Sequence, residues 1–296
     1  MSNKNTNKSI LVTGANGQLG NAVRKLASGW EHCVFYFTDI DTLDLCNKGQ
    51  IHDFLKSNPV EYILNCASYT AVEKAEEDRE ICMSINRDAV QNIGEIASVQ
   101  GIKVIHISTD YVFDGNASHP YCENDRTNPL SVYGESKLAG ENALLAVCPD
   151  SVIIRTAWLY SEFGNNFVKT MLRLGNERET ISVVSDQTGS PTYAGDLAMA
   201  ILTIVNHTSF VPGIYHYTNE GTCSWYDFAV KIMTLAGLKC LVQPVRTTEY
   251  PTRAIRPAYS VLNKAKIRQV YGVSVPDWPT SLEVCLQNIQ HSFAPQ

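Results

Sequence analysis

Short apolar runs alternate with amphipathic stretches along the first half of the chain. Five runs of four to seven residues read as buried strands: Ser9–Thr13, Cys33–Thr38, Tyr62–Cys66, Lys103–Thr109 and Val152–Arg155. Four stretches between them have the apolar spacing of helices: Leu19–Ser28, Gln50–Ser57, Glu73–Gln100 and Val132–Val147. This alternation predicts an α/β fold in which helices cover both faces of a doubly wound parallel sheet.

The second half of the chain is less regular and is interrupted by prolines. The pattern predicts four helices, at Asn165–Leu174, Gly195–Asn206, Ser224–Ala236 and Ser281–Gln290, and two strands, at Ile181–Val184 and Gly213–Tyr217. We therefore expect a main domain over residues 1–160. Residues 161–296 are expected to form mainly a smaller, mixed α/β substrate-binding lobe, interleaved with the last strands of the main sheet.

Composition narrows the class of protein. The 296 residues carry a net charge of −6, which argues against a nucleic-acid-binding protein, and no apolar run is long enough to cross a membrane. The N-terminus is polar and has no signal-peptide core. Nine scattered cysteines without a Cys-x-x-Cys pair predict reduced thiols in a cytoplasmic protein. No histidine has ligand spacing to a cysteine or carboxylate, so we predict no metal site.

A glycine-rich turn, Gly14-Ala-Asn-Gly17-Gln-Leu-Gly20, follows the first strand directly and opens the first helix. Glycine allows a sharp turn and a close approach of the backbone to a pyrophosphate, and the helix N-terminus offers free N–H groups. This context favours dinucleotide binding over a turn without a ligand, and makes the sheet Rossmann-type. The predicted cofactor contacts are Gly14, Asn16, Gly17, Gln18, Leu19 and Gly20.

An acidic residue follows the second strand. Asp39 lies at the distance expected for a carboxylate that binds the adenosine ribose, which favours NADH, although a strand-end aspartate in a turn is an equal alternative. Asp44 and Leu45 are predicted to add contacts beside the adenine. The choice between NADPH and NADH stays open.

Polar residues end the third and fourth strands, in Asn65-Cys-Ala-Ser-Tyr-Thr70 and Ile107-Ser-Thr-Asp110. Ligands of doubly wound sheets bind beyond the carboxyl ends of the strands, so Gly14, Ala67 and Thr109 are expected at one edge. The Thr109 hydroxyl can bind a substrate oxygen there, or it can cap the backbone at the end of its strand.

Tyr133 and Lys137 are four residues apart in a predicted helix, so their side chains leave the same face. A neighbouring ammonium favours phenolate, and we expect Lys137 to lower the pKa of Tyr133 and to bind the nicotinamide ribose. A structural pair is the alternative. The glycine loop upstream favours catalysis.

Together these motifs resemble the extended short-chain dehydrogenase/reductase family, and within it the dTDP-4-dehydrorhamnose reductases. The resemblance covers residues 10–286 and is carried by Ser108-Thr-Asp-Tyr-Val-Phe-Asp-Gly115, Tyr133-Gly-Glu-Ser-Lys137, Arg155-Thr-Ala-Trp158, Asp186-Gln-Thr-Gly-Ser-Pro-Thr192, Thr70-Ala-Val-Glu-Lys-Ala75 and Ser224-Trp-Tyr-Asp-Phe228. It implies reduction of the C4 ketone of dTDP-4-dehydro-6-deoxy-L-mannose to dTDP-L-rhamnose, for cell-surface polysaccharide, with NADPH or NADH.

The resemblance also implies roles for individual residues. Thr109, Tyr133 and Lys137 match a catalytic triad, and Ala67, Ser68, Tyr69 and Thr70 match a strand end that contacts the cofactor. The predicted substrate contacts are Thr70, Val72, Thr109, Asp110, Tyr111, Trp158 and Arg256. For Trp158 a packing role is equally expected. Arg256 is a candidate for the nucleotide diphosphate, because a guanidinium binds phosphate in a fork, with a structural arginine as the alternative.

Three further expectations follow from the resemblance. Some members use a glutamate of the first helix in a magnesium-linked dimer, but Ala22 occupies that position here, so that metal arrangement is not expected. The oligomeric state stays open, with a homodimer as one alternative. A sugar-nucleotide dehydratase or epimerase is one alternative, although the Asp-Glu pair of dehydratases is Asp110-Tyr111 here. A non-catalytic subunit, like the beta subunit of methionine adenosyltransferase, is the other.

Overall fold

A computed structural model describes residues 7–293 of the chain, so the first six residues of the polar N-terminus lie outside the described residues. The strands are β1 Lys8–Thr13, β2 Cys33–Phe37, β3 Tyr62–Asn65, β4 Lys103–Thr109, β5 Val152–Thr156, β6 Leu159–Tyr160, β7 Thr180–Val184, β8 Thr188–Gly189, β9 Thr192–Tyr193, β10 Gly213–His216, β11 Cys223–Ser224 and β12 Leu241–Val245. The helices are α1 Gln18–Ala27, α2 Lys48–Ser57, α3 Val72–Ala75, α4 Arg79–Met83, α5 Ala89–Gln100, α6 Val132–Val147, α7 Phe167–Glu177, α8 Ala194–Asn206, α9 Trp225–Ala236, α10 Ala265–Tyr271 and α11 Trp278–Phe293.

Six strands form one parallel sheet in the order β10-β5-β4-β3-β1-β2. Alternate residues of a strand point to opposite faces, and both faces are buried. In β1, Ile10 and Val12 pack with α1, α8 and α10, whereas Leu11 packs on the other face with α2, α5 and α6. The predicted doubly wound, Rossmann-type α/β fold is confirmed.

The long stretch predicted to be mostly helical, Glu73–Gln100, contains more than one helix. Helices α3 and α4 are separated by a turn, and a π-helical turn at Ser84–Asp88 joins α4 to α5. Gly101 ends α5 in the left-handed conformation, with φ of 69°, as its position after the last apolar residue predicts. The divided part lies beside the sheet edge that carries the predicted site, and π-turns are common at such places.

A smaller lobe, defined here by α7, β7, α9, β12 and α11, surrounds a core of its own. Its two strands pair in parallel, and Ser224 begins α9 with a capping box that includes Asp227. The sequence pattern missed β12 and α10. The pattern did not reveal β12 because Pro244 and two further positions of that strand are exposed, and α10 has only seven residues.

Two negative findings apply to residues 7–293. No helix in this range is long and apolar enough to cross a membrane. Within the same residues, no group of three or more His, Cys, Asp or Glu side chains is arranged to hold a metal ion.

Candidate active site

A cavity of about 560 Å³ opens at the carboxyl ends of the central strands, between the sheet and the smaller lobe. It brings together most of the predicted site residues: Gly14, Gly17, Gln18, Leu19, Gly20, Ser68, Thr70, Val72, Thr109, Asp110, Tyr111, Tyr133, Lys137, Trp158 and Arg256. Asn16, Asp39, Asp44, Leu45, Ala67 and Tyr69 are not part of its lining. The edge of a doubly wound sheet where ligands bind is therefore the edge with the cavity.

The glycine loop leaves the N-terminus of α1 open. Gly14 has a φ of 62°, and a side chain there would meet the backbone nitrogen of Ala67 at 2.6 Å. A side chain at Gly20 would lie 2.5 Å from the Cα atom of Ala15. Gly17 caps the helix without a side-chain hydrogen bond, so the N–H groups of the first turn, whose residues line the cavity, have no side-chain capping partner. This arrangement can hold a pyrophosphate.

The first helix is also tied to the segment that follows β6. The Oε1 atom of Gln18 accepts hydrogen bonds from the Ser161 hydroxyl and the Asn166 side-chain amide, and each donor–acceptor distance is 3.0 Å. Asn166 also caps α7 by accepting from the Lys169 N–H. Spacing along the chain could not predict these contacts, because the partners are more than 140 residues apart.

The residues predicted to contact the adenosine already have partners within the protein. Asp39 accepts hydrogen bonds from the N–H groups of Asn16 and Ile40 over 2.8 and 2.9 Å, so its carboxylate supports the glycine loop. Asp44 accepts from the N–H of Cys46 at 2.9 Å, and Leu45 packs into the core. Asp39 therefore orders the loop whether or not it also meets a ribose.

Asn86, which sequence reasoning missed, organises the end of β3. Its side-chain oxygen accepts from the Ser68 hydroxyl and the Tyr69 N–H, each over 2.9 Å. Its amide nitrogen donates to the Tyr69 carbonyl and to the hydroxyl of Ser136 in α6. The π-helical turn places this fully buried asparagine between the β3 loop and α6. The Tyr69 ring turns away, and its hydroxyl donates to Asp78.

Helix α6 lies against the end of β4. Ser131 caps the helix by accepting from the Gly134 N–H, and Tyr133 lies in the first turn. A side chain at Gly134 would lie 2.3 Å from the Tyr111 carbonyl oxygen, and one at Gly140 would lie 2.0 Å from the Asn86 carbonyl oxygen. Glycine at both positions therefore permits the close packing that brings Tyr133 to the strand end.

The three predicted catalytic side chains meet, but the electrostatics differ from expectation. Burial raises the pKa of Tyr133, and a hydrogen bond with Thr109 opposes that rise. The net shift is upward because burial outweighs every other influence, so the prediction that Lys137 brings this pKa down toward neutral pH is wrong in this structure. Instead Lys137 donates to the Ile107 carbonyl over 2.7 Å, and its own burial lowers its pKa to about 8.

Thr109 combines the two roles considered for it. Its hydroxyl donates to Asp110 Oδ1 over 3.1 Å and accepts from the Tyr111 N–H, which caps the short 3₁₀ turn Asp110–Val112. It is also the hydrogen-bond neighbour of Tyr133. Burial raises the pKa of Asp110 to about 6, and the Asp110 Oδ2 atom has no hydrogen-bond partner of standard geometry among the described residues.

A buried ion pair supports this cluster from behind. Glu141, one turn after Lys137, receives two hydrogen bonds from Arg155 of β5, over 2.9 and 2.7 Å, and one from Ser108 of β4 over 2.5 Å. Both charged side chains are almost completely buried. Sequence reasoning missed the pair, although Arg155 begins the Arg155-Thr-Ala-Trp158 motif. One carboxylate thus fixes α6 to the two strands beside the cavity.

Two stacked indoles form the opposite wall. Trp158 has a φ of 49°, unusual for a residue other than glycine, and its ring stacks on Trp225 with centroids 3.6 Å apart. A side chain at Gly189 would meet the Trp158 ring at 2.7 Å, so glycine makes room for the indole. Trp158 packs against Trp225 and also lines the cavity, so the structure is compatible with both the packing role and the substrate contact considered for it. Trp225 was not singled out from the sequence.

Arg256 lies where this cavity meets a second one of about 280 Å³. The second cavity is lined by aromatic and aliphatic residues of the smaller lobe together with a few polar groups, among them Gln187 and Thr252. Phe167, Trp225 and Arg256 belong to both linings. The two cavities can hold one extended ligand with an anionic centre at Arg256.

Comparison with known proteins gives a consistent result. Residues 8–291 match the family described as the RmlD substrate binding domain. The dTDP-4-dehydrorhamnose reductase of Aggregatibacter actinomycetemcomitans is 42% identical over 284 residues, which cover 93% of this chain and 97% of that protein. A Streptomyces niveus relative named dTDP-4-keto-6-deoxy-D-glucose reductase is 36% identical, with 92% of this chain and 94% of that protein covered.

Solved structures agree. A dTDP-4-dehydrorhamnose reductase from Clostridium acetobutylicum is 41% identical, with a TM-score of 0.91 and coverage of 95% of this chain and 99% of that one. The enzyme of Bacillus anthracis, solved in complex with NADP, is 40% identical, with a TM-score of 0.90 and the same coverage. A Streptomyces venezuelae dTDP-glucose 4,6-dehydratase, at 17% identity and a TM-score of 0.80, covers 96% and 97% and shares the fold alone. The chain therefore belongs to the RmlD substrate binding domain family and, within it, to the dTDP-4-dehydrorhamnose reductases.

Proposed function

We propose that this protein reduces the C4 ketone of dTDP-4-dehydro-6-deoxy-L-mannose to dTDP-L-rhamnose with NADPH or NADH. The observation that carries the proposal is the common cavity: the open N-terminus of α1 and the side chains of Thr109, Tyr133 and Lys137 line the same space. A helix end that can bind a pyrophosphate holds the cofactor, and a protonated phenol beside it can donate a proton to the carbonyl oxygen. Hydride transfer to a carbonyl needs both groups in one site.

The nicotinamide cofactor, when bound, supplies the hydride. Tyr133 gives its proton to the developing alkoxide, and the raised pKa of its phenol keeps that proton in place at neutral pH until it is needed. Thr109 holds the phenol beside the substrate oxygen. Lys137 lies one turn away in α6, where its ammonium would bind the hydroxyls of the nicotinamide ribose and so orient the ring toward the ketone.

The substrate is proposed to span both cavities. Tyr111, Trp158, Thr70 and Val72 line the first cavity, where a deoxyhexulose would lie beside Tyr133. Asp110, whose carboxylate also meets Ser260, lines the same cavity and would bind a hydroxyl of the sugar. The nucleoside would occupy the second cavity, and its diphosphate would lie at Arg256 between the two.

The cofactor is proposed to lie along the glycine loop and the end of β3. The Bacillus anthracis relative was solved with NADP, which supports a nicotinamide dinucleotide here. Gly14, Asn16, Gly17, Gln18, Leu19 and Gly20 would meet the pyrophosphate side, Asp39, Asp44 and Leu45 the adenosine, and Ala67, Ser68, Tyr69 and Thr70 the middle of the cofactor. Lys137 would reach the nicotinamide ribose.

A coupled assay with dTDP-4-dehydro-6-deoxy-L-mannose tests the proposal, with NADPH and NADH compared and the sugar product identified. We expect one cofactor oxidised per ketone reduced. Cofactor turnover that is not stoichiometric would indicate an epimerase or dehydratase, and no turnover with stable binding to an adenosyltransferase would indicate a regulatory subunit. Reduction of dTDP-4-keto-6-deoxy-D-glucose in preference to the L-mannose-configured ketone would favour the activity named for the Streptomyces niveus relative.

The remaining expectations are proposals of the same kind. We infer two lobes divided near residue 160, a homodimer and a cytoplasmic location, the last supported by nine cysteines that are all unpaired. Ala22 is buried in the main core, which leaves no room for a metal-binding side chain at that position. Light scattering of the purified protein measures the oligomeric state with and without magnesium.

A further inference from the structure

Residues 247–257, called the strap below, run from the smaller lobe to helix α3, which lies beside the main sheet. Its root is held by Asp186, which accepts hydrogen bonds from the N–H and the hydroxyl of Thr247 over 2.9 and 2.6 Å. Its far end is held by Glu73, whose Oε2 atom accepts from the N–H groups of Arg253 and Ala254 over 2.8 and 3.3 Å. The strap is thus attached on both sides of the cleft.

Glu73 has a second contact that reaches the cavity. Its Oε1 atom accepts a hydrogen bond from the Nη2 atom of Arg256 over 2.8 Å. Glu73 directly follows Val72, which lines the main cavity, whereas Arg256 lines both cavities. One carboxylate therefore fixes the backbone of the strap with one oxygen and the direction of its guanidinium with the other.

The guanidinium of Arg256 is only partly used by these contacts. Its Nε atom is buried and has no hydrogen-bond partner among residues 7–293. A buried donor without a partner is unfavourable, and an anionic oxygen beside it would satisfy it. Since Arg256 stands where two cavities join, the diphosphate of a nucleotide sugar, which lies between its sugar and its nucleoside, is the anion that fits.

We propose that Glu73 is a positioning residue that holds Arg256 in the orientation in which it receives the substrate diphosphate. The inference rests on the proposed function for its ligand. The Glu73 carboxylate keeps one guanidinium nitrogen and leaves the remaining N–H groups for phosphate oxygens. Asp186, in the motif Asp186-Gln-Thr-Gly-Ser-Pro-Thr192, anchors the root of the same strap.

Two effects of removing the Glu73 charge oppose each other. Loss of the carboxylate would remove a repulsion of the diphosphate, but the Glu73 side chain is 41% exposed, so water and salt screen that repulsion. Loss of the hydrogen bonds frees the Arg256 side chain and the strap, which must then be ordered again when the substrate binds. The ordering effect is the larger, so affinity should fall.

The experiment compares Glu73→Gln with Glu77→Gln. Glu77 lies one turn further along, pairs with Arg253 of the same strap and does not contact Arg256 in the described structure. For Glu73→Gln we expect the KM for the nucleotide sugar to rise about tenfold, the loss of one charge-assisted hydrogen bond, with kcat and the cofactor KM little changed. Glu77→Gln should change the same KM less than about twofold. Equal effects of both variants, or an unchanged or lower KM in Glu73→Gln, would overturn the inference.

An Arg256→Gln background shows whether Glu73 acts through the arginine. There, Glu73→Gln should add less than about twofold, because the group that it positions is gone. A full further tenfold loss would contradict the inference.

Titration with dTDP alone separates this inference from the proposed function. If Glu73→Gln binds dTDP more weakly but the protein reduces no dTDP-ketosugar, the proposed function is wrong and the positioning role of Glu73 is supported. If the wild-type protein reduces the ketosugar and Glu73→Gln binds dTDP with unchanged affinity, only the positioning role of Glu73 is wrong.

Discussion

Lys137 donates a hydrogen bond from Nζ to the backbone oxygen of Ile107 over 2.7 Å, which ties the helix carrying Tyr133 to the strand that ends in Thr109. The lysine therefore has a structural function in addition to the ribose contact proposed for it. Its ammonium stays one turn from the phenol because the carbonyl holds it there, and the distance between helix and strand is set by the same contact.

Replacement of Tyr133 by phenylalanine should leave the fold and cofactor binding intact and remove the proton donor. We expect kcat to fall about 10²- to 10⁴-fold, the usual contribution of general acid catalysis. Steady-state kinetics and cofactor titration measure the two effects. The matched control is Tyr62→Phe, whose hydroxyl meets Lys103 at the opposite end of the sheet. Turnover near the wild-type level in Tyr133→Phe would remove the tyrosine from the mechanism.

Activity and stability should respond in opposite directions to alkaline pH. Burial lowers the pKa of Lys137 from 10.5 to about 8, so kcat/KM for the cofactor should fall as pH rises through 8 and the ammonium proposed to bind the nicotinamide ribose is lost. Between pH 8 and 10.5 the unfolded chain binds the lysine proton and the folded chain does not. The contribution of this group to the free energy of unfolding therefore rises with pH in that window.

A pH profile of kcat/KM and denaturant unfolding at several pH values test this pair of trends. Lys137→Met is the comparison, since it removes the titrating group and should remove both trends. A flat kcat/KM profile of the wild-type protein from pH 7 to 9.5 would contradict the assignment.

The buried pair of Glu141 and Arg155 should be costly to break from one side. Glu141→Gln leaves an uncompensated guanidinium in the interior and should lower the free energy of unfolding by about 3–5 kcal/mol. Removing both charges, in Glu141→Gln with Arg155→Met, should recover part of that loss. Glu177→Gln breaks the exposed pair with Arg173 and should change stability by less than about 1 kcal/mol. Similar losses of stability in Glu141→Gln and Glu177→Gln would contradict the claim that burial makes the Glu141–Arg155 pair costly to break.

Gly140 should tolerate no side chain without movement of α6. An added methyl group would lie 2.0 Å from the Asn86 carbonyl oxygen, so Gly140→Ala should destabilise the protein by about 1–3 kcal/mol. It should also weaken cofactor binding, because Asn86 holds Ser68 and the Tyr69 backbone. Gly29→Ala is the control, since a methyl group there makes only ordinary contact at 3.6 Å. Thermal unfolding and cofactor titration measure both effects.

Local patterns in the sequence predicted the sheet and the motifs on it. The apolar runs located β1 to β5 because buried parallel strands have few polar positions, and the glycine loop and the Tyr133–Lys137 spacing marked the edge with the cavity. The pattern failed at β12, where Pro244 and exposed positions resemble a loop. It also failed to show the π-helical turn that places Asn86.

Other features depend on contacts that spacing does not encode. The partners Gln18 and Asn166, and Glu73 and Arg256, are far apart in sequence and meet only after folding. The error over the Tyr133 pKa has the same origin. Spacing shows that two side chains share a helix face, but it does not show how deeply they are buried or which carbonyl attracts the ammonium.

Strand β10 comes from beyond residue 160 and completes the main sheet by pairing with β5, and α8 shares a hydrophobic core with α1. A fragment that ends near residue 160 would therefore expose the free hydrogen-bonding edge of β5 and the apolar surface of α1. Such a fragment should aggregate instead of binding dinucleotide alone. Evolution could not exchange the cofactor half of this chain as an independent module without also carrying along a strand and a helix from the other half.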